Sequence, residues 1–195
     1  MKNTLSLFFF VILIITISCK NTDMKILDNG VVFNVPQGKM KLEVCREDII
    51  RVMVSPSDTF SSRKSLMLVE NPWKKTAFSS EIKNDTVFLK TEKFLVKVGI
   101  KSGAVKFFDI QGKLVLAERD TVKKFTSASV CGENTQSIRQ QWESPEDEKL
   151  YGLGHHQNGL FNNRGANIDL WQENWEIVVP FFTSSRGYGI LWDNY

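Results

Sequence analysis

From about residue 25 onward the chain is dominated by short runs in which apolar and polar residues alternate, broken by turn residues. Lys41-Leu42-Glu43-Val44-Cys45-Arg46 puts Leu42 and Val44 on one face of a pleated strand, the period of two that a half-buried strand requires. Ile49-Ile50-Arg51-Val52-Met53-Val54 repeats the pattern and stops at Ser55-Pro56. Thr86-Val87-Phe88-Leu89-Lys90 and Phe94-Leu95-Val96-Lys97-Val98 are short and rich in β-branched and aromatic residues. Val105-Lys106-Phe107-Phe108 and Leu114-Val115-Leu116 flank Asp109-Ile110-Gln111-Gly112, a turn signal ending in glycine. Residues 177–182 and 188–192 are the last two predicted strands, joined by Ser184-Ser185-Arg186-Gly187. No stretch of about 12 or more residues keeps an apolar 3.6 period with caps at both ends. Many short strands at close spacing predict an all-β protein, an antiparallel sandwich or a barrel. No internal repeat, low-complexity tract or inner linker interrupts it.

The N-terminus follows a different rule. Lys2 supplies a positive start, and the apolar run from Leu5 to Ile17 is broken only by Ser6 and Thr16. That run falls short of the roughly 20 residues of a membrane-spanning helix and fits the about 7–15 of a signal peptide's apolar segment. It closes on Thr16-Ile17-Ser18-Cys19, a small residue directly before a cysteine. This resembles a bacterial lipobox with Thr16 where leucine is usual, and it implies that Cys19 is lipidated once residues 1–18 are removed. An ordinary secretory signal cleaved nearby is the alternative. Residues 19–24 then form a short polar tether, and residues 25–195 form the folded domain.

Composition narrows the function classes by exclusion. The 195 residues are 42% hydrophobic, 24% charged and 11% aromatic, which rules out a disordered, collagenous or coiled-coil chain. With 25 Lys plus Arg against 22 Asp plus Glu, the net charge of +3 provides no long-range field for nucleic acid, and no basic block appears. Fourteen Phe and five Trp are a heavy aromatic load for this length, but composition alone names no activity. Beyond Cys19, Cys45 and Cys131 are read as two small buried hydrophobes, because two cysteines make no disulfide framework in a domain with an adequate core.

Most candidate chemistry dissolves on inspection. His155 and His156 are neighbours, so in an extended segment they point to opposite faces, and no third histidine or nearby cysteine completes a metal site. They read as a polar loop rim, with a direct sugar contact by one of them left open. Gly152, Gly154 and Gly159 fail the dinucleotide fingerprint because Gln157 stands where its last glycine belongs. Ser184 and Ser185 lack the flanking glycines of a nucleophile elbow. Glu146-Asp147-Glu148 after Pro145 reads as a solvated turn. No cofactor motif and no metal ligand set emerges.

Residues 165–175 are different in kind. Gly165-Ala166-Asn167-Ile168-Asp169-Leu170-Trp171-Gln172-Glu173-Asn174-Trp175 interleaves amides, acids and two tryptophans. Sugars are held by planar hydrogen-bonding groups and by stacking of C–H faces on aromatic rings, and this segment carries both. The same residues also suit two core tryptophans with a polar turn between them, so both readings stand. Asp169 is equally suited to bracing the loop.

Longer motifs point to a family. Tyr151-Gly152-Leu153-Gly154, Asn167-Ile168-Asp169-Leu170-Trp171-Gln172, Val179-Pro180-Phe181-Phe182 and Gly187-Tyr188-Gly189-Ile190-Leu191-Trp192-Asp193-Asn194, in this order and spacing, resemble the N-terminal domain of glycoside hydrolase family 31. Arg46-Glu47-Asp48-Ile49-Ile50-Arg51-Val52 and the hairpin region from Lys101-Ser102-Gly103 to Gly112-Lys113-Leu114 are similar to its earlier strands. The details look most like exported α-xylosidases of Bacteroides-type bacteria, with α-glucosidases second. The resemblance implies a galactose-mutarotase-like antiparallel β-sandwich, followed in the family by a (β/α)₈ barrel that carries both catalytic aspartates. It therefore assigns no catalytic residue to this chain, which is expected to be inactive alone. It implies instead a rim loop beside the barrel's pocket, with Asp169, Gln172 and Asn174 hydrogen bonding and Trp171 stacking. Tyr151, Gly152, Gly154, Gly187, Gly189 and Asp193 would fix strand and turn geometry. The implied partners are α-xylosides or α-glucosides, the barrel, and an outer membrane (periplasmic or surface side) reached through the lipid on Cys19. A stand-alone lipid-anchored sugar-binding or structural module is the alternative.

Overall fold

The computed structural model describes residues 23–68, 73–120 and 124–193. The expected signal at residues 1–18, Cys19 and the start of the tether lie outside the described residues.

The described residues are all β, with every strand pairing antiparallel, as the alternating pattern predicts. The first sheet is a meander of β1 (Lys25–Leu27), β2 (Gly30–Val35), β3 (Gly38–Arg46) and β4 (Ile49–Ser55). The second runs in order through β5 (Ser79–Lys83), β6 (Thr86–Lys90), β7 (Phe94–Gly99), β8 (Val105–Asp109) and β9 (Leu114–Ala117). Their inward faces meet in one apolar core. Val31, Phe33, Val35, Met40, Leu42 and Val44 come from the first sheet, and Val87, Leu89, Val96, Val98 and Val105 from the second. Burying each such side chain stabilises by roughly 1.5–3 kcal/mol before entropy is counted, which makes this sandwich the stable body of the domain.

Two smaller sheets extend from it. The ribbon β10 (Lys124–Val130) and β11 (Glu133–Arg139) turns on Cys131 and Gly132, with φ of 51° and 81°. Two positive φ values in a two-residue turn match the right-handed twist of a hairpin. This corrects the reading of Cys131 as a buried hydrophobe: it sits exposed at the ribbon's tip, while Cys45 is buried in β3, and both are free thiols. The third sheet has the order β12 (Leu150–His155), β13 (Ile177–Ser184), β14 (Gly189–Leu191). It is tied to the first sheet where Arg51 donates to Asp193 at 2.7 Å, and Ser65 donates to the other oxygen of the same carboxylate at 2.7 Å.

A buried carboxylate anchors the third sheet from its other end. Glu148, read as part of a solvated turn, is in fact 1% exposed. It accepts hydrogen bonds from Ser184 at 2.5 Å, Tyr188 at 2.6 Å and Ser144 at 2.9 Å. The Pro-Glu-Asp-Glu segment looks solvated because two of the donors to Glu148, Ser184 of β13 and Tyr188 just before β14, are far away in sequence.

Candidate functional site

The third sheet carries the segment with mixed amide, acid and aromatic character. Pro180 lies in the middle of β13, where it has no N–H for the ladder. The pairing slips at that point: Gly152 faces Phe182, but Gly154 faces Val178. The opposing backbone of Gly152, Leu153 and Gly154 takes positive φ at all three residues (111°, 69° and 104°). A Cβ on Gly154 would stand 1.9 Å from the Ile177 carbonyl oxygen, so that approach requires glycine.

Between β12 and β13 the chain rises into a loop that ends in a tight turn. Glu173 and Glu176 pair as an isolated bridge, with the Glu176 N–H donating to the Glu173 carbonyl at 3.3 Å. Gln172 spans this turn: its amide nitrogen donates to the Glu176 carbonyl at 2.9 Å, and its amide oxygen accepts from the Val178 N–H at 3.1 Å. Gln172 therefore fixes the loop's shape and has one amide N–H left to offer. The side chains of Asp169 and Asn174 are exposed, and among the described residues neither has a hydrogen-bond partner. Trp171 and Trp175 are each 69% exposed, so both are surface rings and not core. Asp169, Trp171, Gln172 and Asn174, the residues expected to form a rim, thus share one exposed loop, with open polar groups beside open aromatic planes.

The histidines separate as the alternation argument requires, but not as a loop rim. His155 is exposed at the end of β12. The side chain of His156 is only 6% exposed and lies under the loop, bonded to Glu176 and to the Leu153 carbonyl. Sequence reasoning missed this pairing because the bulge that brings Leu153 to the ring has no local pattern beyond its two glycines.

Beside the loop, β13 exposes Ile177, Val179 and Phe181, with Leu191 of β14 directly across from Phe181. Val178, Pro180 and Phe182 occupy the other, more covered face. The depression of about 340 Å³ lined by Asn34, Pro36, Lys39, Pro56, Ser57 and Asp58, among others, includes none of the rim residues. Asp169, Trp171, Gln172 and Asn174 are all exposed, so their loop is an open surface. Such a surface can stack and hydrogen-bond a flat polar ligand at its edge, but it does not enclose one.

Known proteins share this architecture. The chain is 29% identical over 165 residues to an α-xylosidase of Saccharolobus solfataricus, covering 80% of this chain and 22% of that protein. It superposes on the crystal structure of the family 31 α-xylosidase from Xanthomonas citri with a TM-score of 0.81 and 38% identity, over 87% of this chain and 19% of the other. A family 31 α-xylosidase from a soil metagenome, solved with xylose, shares the fold at a TM-score of 0.74 and 24% identity, over 89% of this chain and 28% of the other. The chain therefore spans about a fifth to just over a quarter of the length of these relatives. From the start of β3 through the last described strand, residues 39–195 match the glycosyl hydrolase 31 N-terminal galactose mutarotase-like domain, and the chain belongs to that family.

Proposed function

We propose that this chain is the supporting N-terminal domain of an exported retaining α-glycosidase, of α-xylosidase type first and α-glucosidase type second. In this reading it braces a catalytic (β/α)₈ barrel and lends its rim loop to the barrel's pocket. The observation that carries the reading is the second face of β13. Ile177, Val179 and Phe181 make an apolar row on a central strand whose other face is already turned inward. A strand apolar on both faces is the pattern of one covered on both sides, and a contiguous exposed apolar surface marks an interaction site. The α-xylosidases that it resembles are several times longer, which leaves ample chain to provide a cover. Asp169 and Asn174 hydrogen-bond the substrate, Trp171 stacks on it, and Gln172 holds the loop while offering its remaining N–H. Residues 1–18 direct export and Cys19 carries the lipid.

Trp171→Ala, made in a protein that carries both this domain and a catalytic barrel, is the test. Loss of one aromatic face, about 0.5–1.5 kcal/mol, should lower kcat/KM for an α-xyloside roughly 2- to 12-fold. Because the ring is exposed, the melting temperature should barely move. Unchanged kinetics with a large fall in melting temperature would refute the assignment. Alone, the chain should release no xylose and should associate with concentration, and Val179→Lys should relieve that association. A stand-alone sugar-binding module is the second reading, favoured by the openness of Trp171 and Trp175. A monodisperse monomer that binds xylosylated oligosaccharides at millimolar or better affinity would establish it instead.

A further inference from the structure

We propose that His156 is held as an imidazolium between Glu176 and the Leu153 carbonyl, and that this charged clasp positions the aromatic rim and makes its placement pH-dependent. The proposal does not rest on any glycosidase activity, since its readouts are the ring and the loop themselves.

His156 Nε2 lies 2.9 Å from the Leu153 carbonyl oxygen, and Nδ1 lies 3.1 Å from Glu176 Oε2. A carbonyl accepts only, and so does an ionised carboxylate. Both ring nitrogens must therefore donate, which only the protonated ring can do. A neutral ring would keep one bond and aim its remaining lone pair at an oxygen. Burial sharpens the conflict, since the His156 side chain is 6% exposed and that of Glu176 is 26% exposed. Among the described residues, Glu176 is the charged group within ion-pair reach of the ring, while Glu173 and His155, its titratable neighbours in the turn and the strand, are exposed.

The backbone is shaped around the same contact. Leu153 has φ of 69°, a conformation rare for a branched side chain, and it is the residue whose carbonyl meets Nε2. Glu176 is the rear post of the turn that carries Trp175, and its carbonyl receives the Gln172 amide beside Trp171. Loosening Glu176 therefore frees both tryptophans together. The hydrogen bond to Glu176, helped by the one to Leu153, raises the His156 pKa above the ordinary imidazole value. The sign follows from linkage: a raised value means that the clasp is complete below the ordinary value and is lost as pH rises through the folded one.

The test uses the whole chain with ring-labelled histidine and 5-fluorotryptophan, observed by NMR across pH. His155→Gln assigns His156, and Trp171→Phe and Trp175→Phe assign the rim signals. His156 should titrate above about 6.5, and the rim fluorine signals should move with the same midpoint. Glu176→Gln removes the carboxylate charge yet can turn its amide N–H toward a neutral Nδ1 or its oxygen toward a charged ring, so the His156 midpoint should fall while the rim signals stay in place and no longer follow it. A wild-type His156 midpoint at or below the ordinary value, wild-type rim signals that stay flat through it, or a His156 midpoint unmoved by Glu176→Gln would each overturn the proposal.

Discussion

Glu148 offers the sharpest test of how the third sheet is held. Its Oε1 accepts from Ser184 and Tyr188 and its Oε2 from Ser144, at 2.5–2.9 Å, with the carboxylate almost wholly enclosed. Hydrogen bonds to a charged group contribute about 1.5–3 kcal/mol each, against about 0.5–1.5 for neutral pairs. Glu148→Gln keeps the shape and one acceptor but loses the charge, so it should cost about 1–3 kcal/mol. Glu148→Ala leaves the Ser184 and Tyr188 hydroxyls without an acceptor, at about 1–3 kcal/mol apiece, and should cost about 3–5 kcal/mol. Burial alone would raise this carboxyl's pKa, but the three hydroxyl donors together hold it below the usual range. A depressed value places the stabilisation above the unfolded pKa of about 4.3 and removes it as pH falls through the folded one. Urea unfolding as a function of pH reads both effects. Wild type should lose stability on the acid side, and Glu148→Gln should lack that part of the loss. A Gln variant within about 0.5 kcal/mol of wild type, an Ala variant no worse than Gln, or superimposable acid limbs would refute the reasoning.

Two further outcomes follow from the backbone and the thiols. Gly154→Ala places a Cβ 1.9 Å from the Ile177 carbonyl at φ +104°, so it should cost more than about 3 kcal/mol and open the third sheet to proteolysis. Gly165→Ala, at φ +76° with nothing within 4 Å, should cost only about 1–2 kcal/mol on the same assay. Cys131, exposed at its turn, should react with a maleimide well before Cys45, whose thiol is pushed up to about 11 by burial and by the nearby Glu43 charge. Peptide mapping that showed the reverse order would contradict the placement of both residues.

Most strands are legible from a one-sided apolar period, and β13 from a run, Ile177 to Phe182, that is apolar on both faces. β3, β4, β6, β7 and β8 were legible because alternate residues such as Leu42, Val44, Val87, Leu89, Val96 and Val98 are driven into one core. β2 carries the same signal in Val31, Phe33 and Val35, but over only six residues and close to the polar tether. β10 and β11 have no such signal, since their residues are largely exposed on both faces and only Cys131-Gly132 marks the hairpin. In the site, the exposed mixture from Asp169 to Asn174 was visible in composition. The burial of Glu148 was not, because its partners Ser184 and Tyr188 lie 36 and 40 residues away. His156 escaped for the same reason, its partner Glu176 being 20 residues on. Patterning reports which face a residue takes, but it does not report which distant polar group closes on it.

The division between core and polar ties has a mechanical consequence. Among the described residues, the fully buried apolar side chains all come from the first nine strands and the loops between them, and none from β12 to β14. The third sheet is instead fastened by Glu148 at one end, by Arg51 with Ser65 on Asp193 at the other, and by His156 on Glu176 beneath its loop. Hydrogen bonds and ion pairs of this kind are directional and contribute modest net stability, so they set angles more than they supply cohesion. Apolar burial does the opposite: it supplies cohesion with little direction. A sheet that already has its angle set, with an apolar row of Ile177, Val179 and Phe181 still open, needs only a cover to gain the missing cohesion. The loop above it then keeps its orientation whether or not that cover is in place, which is what the proposed role of Trp171 and Asp169 beside a pocket requires.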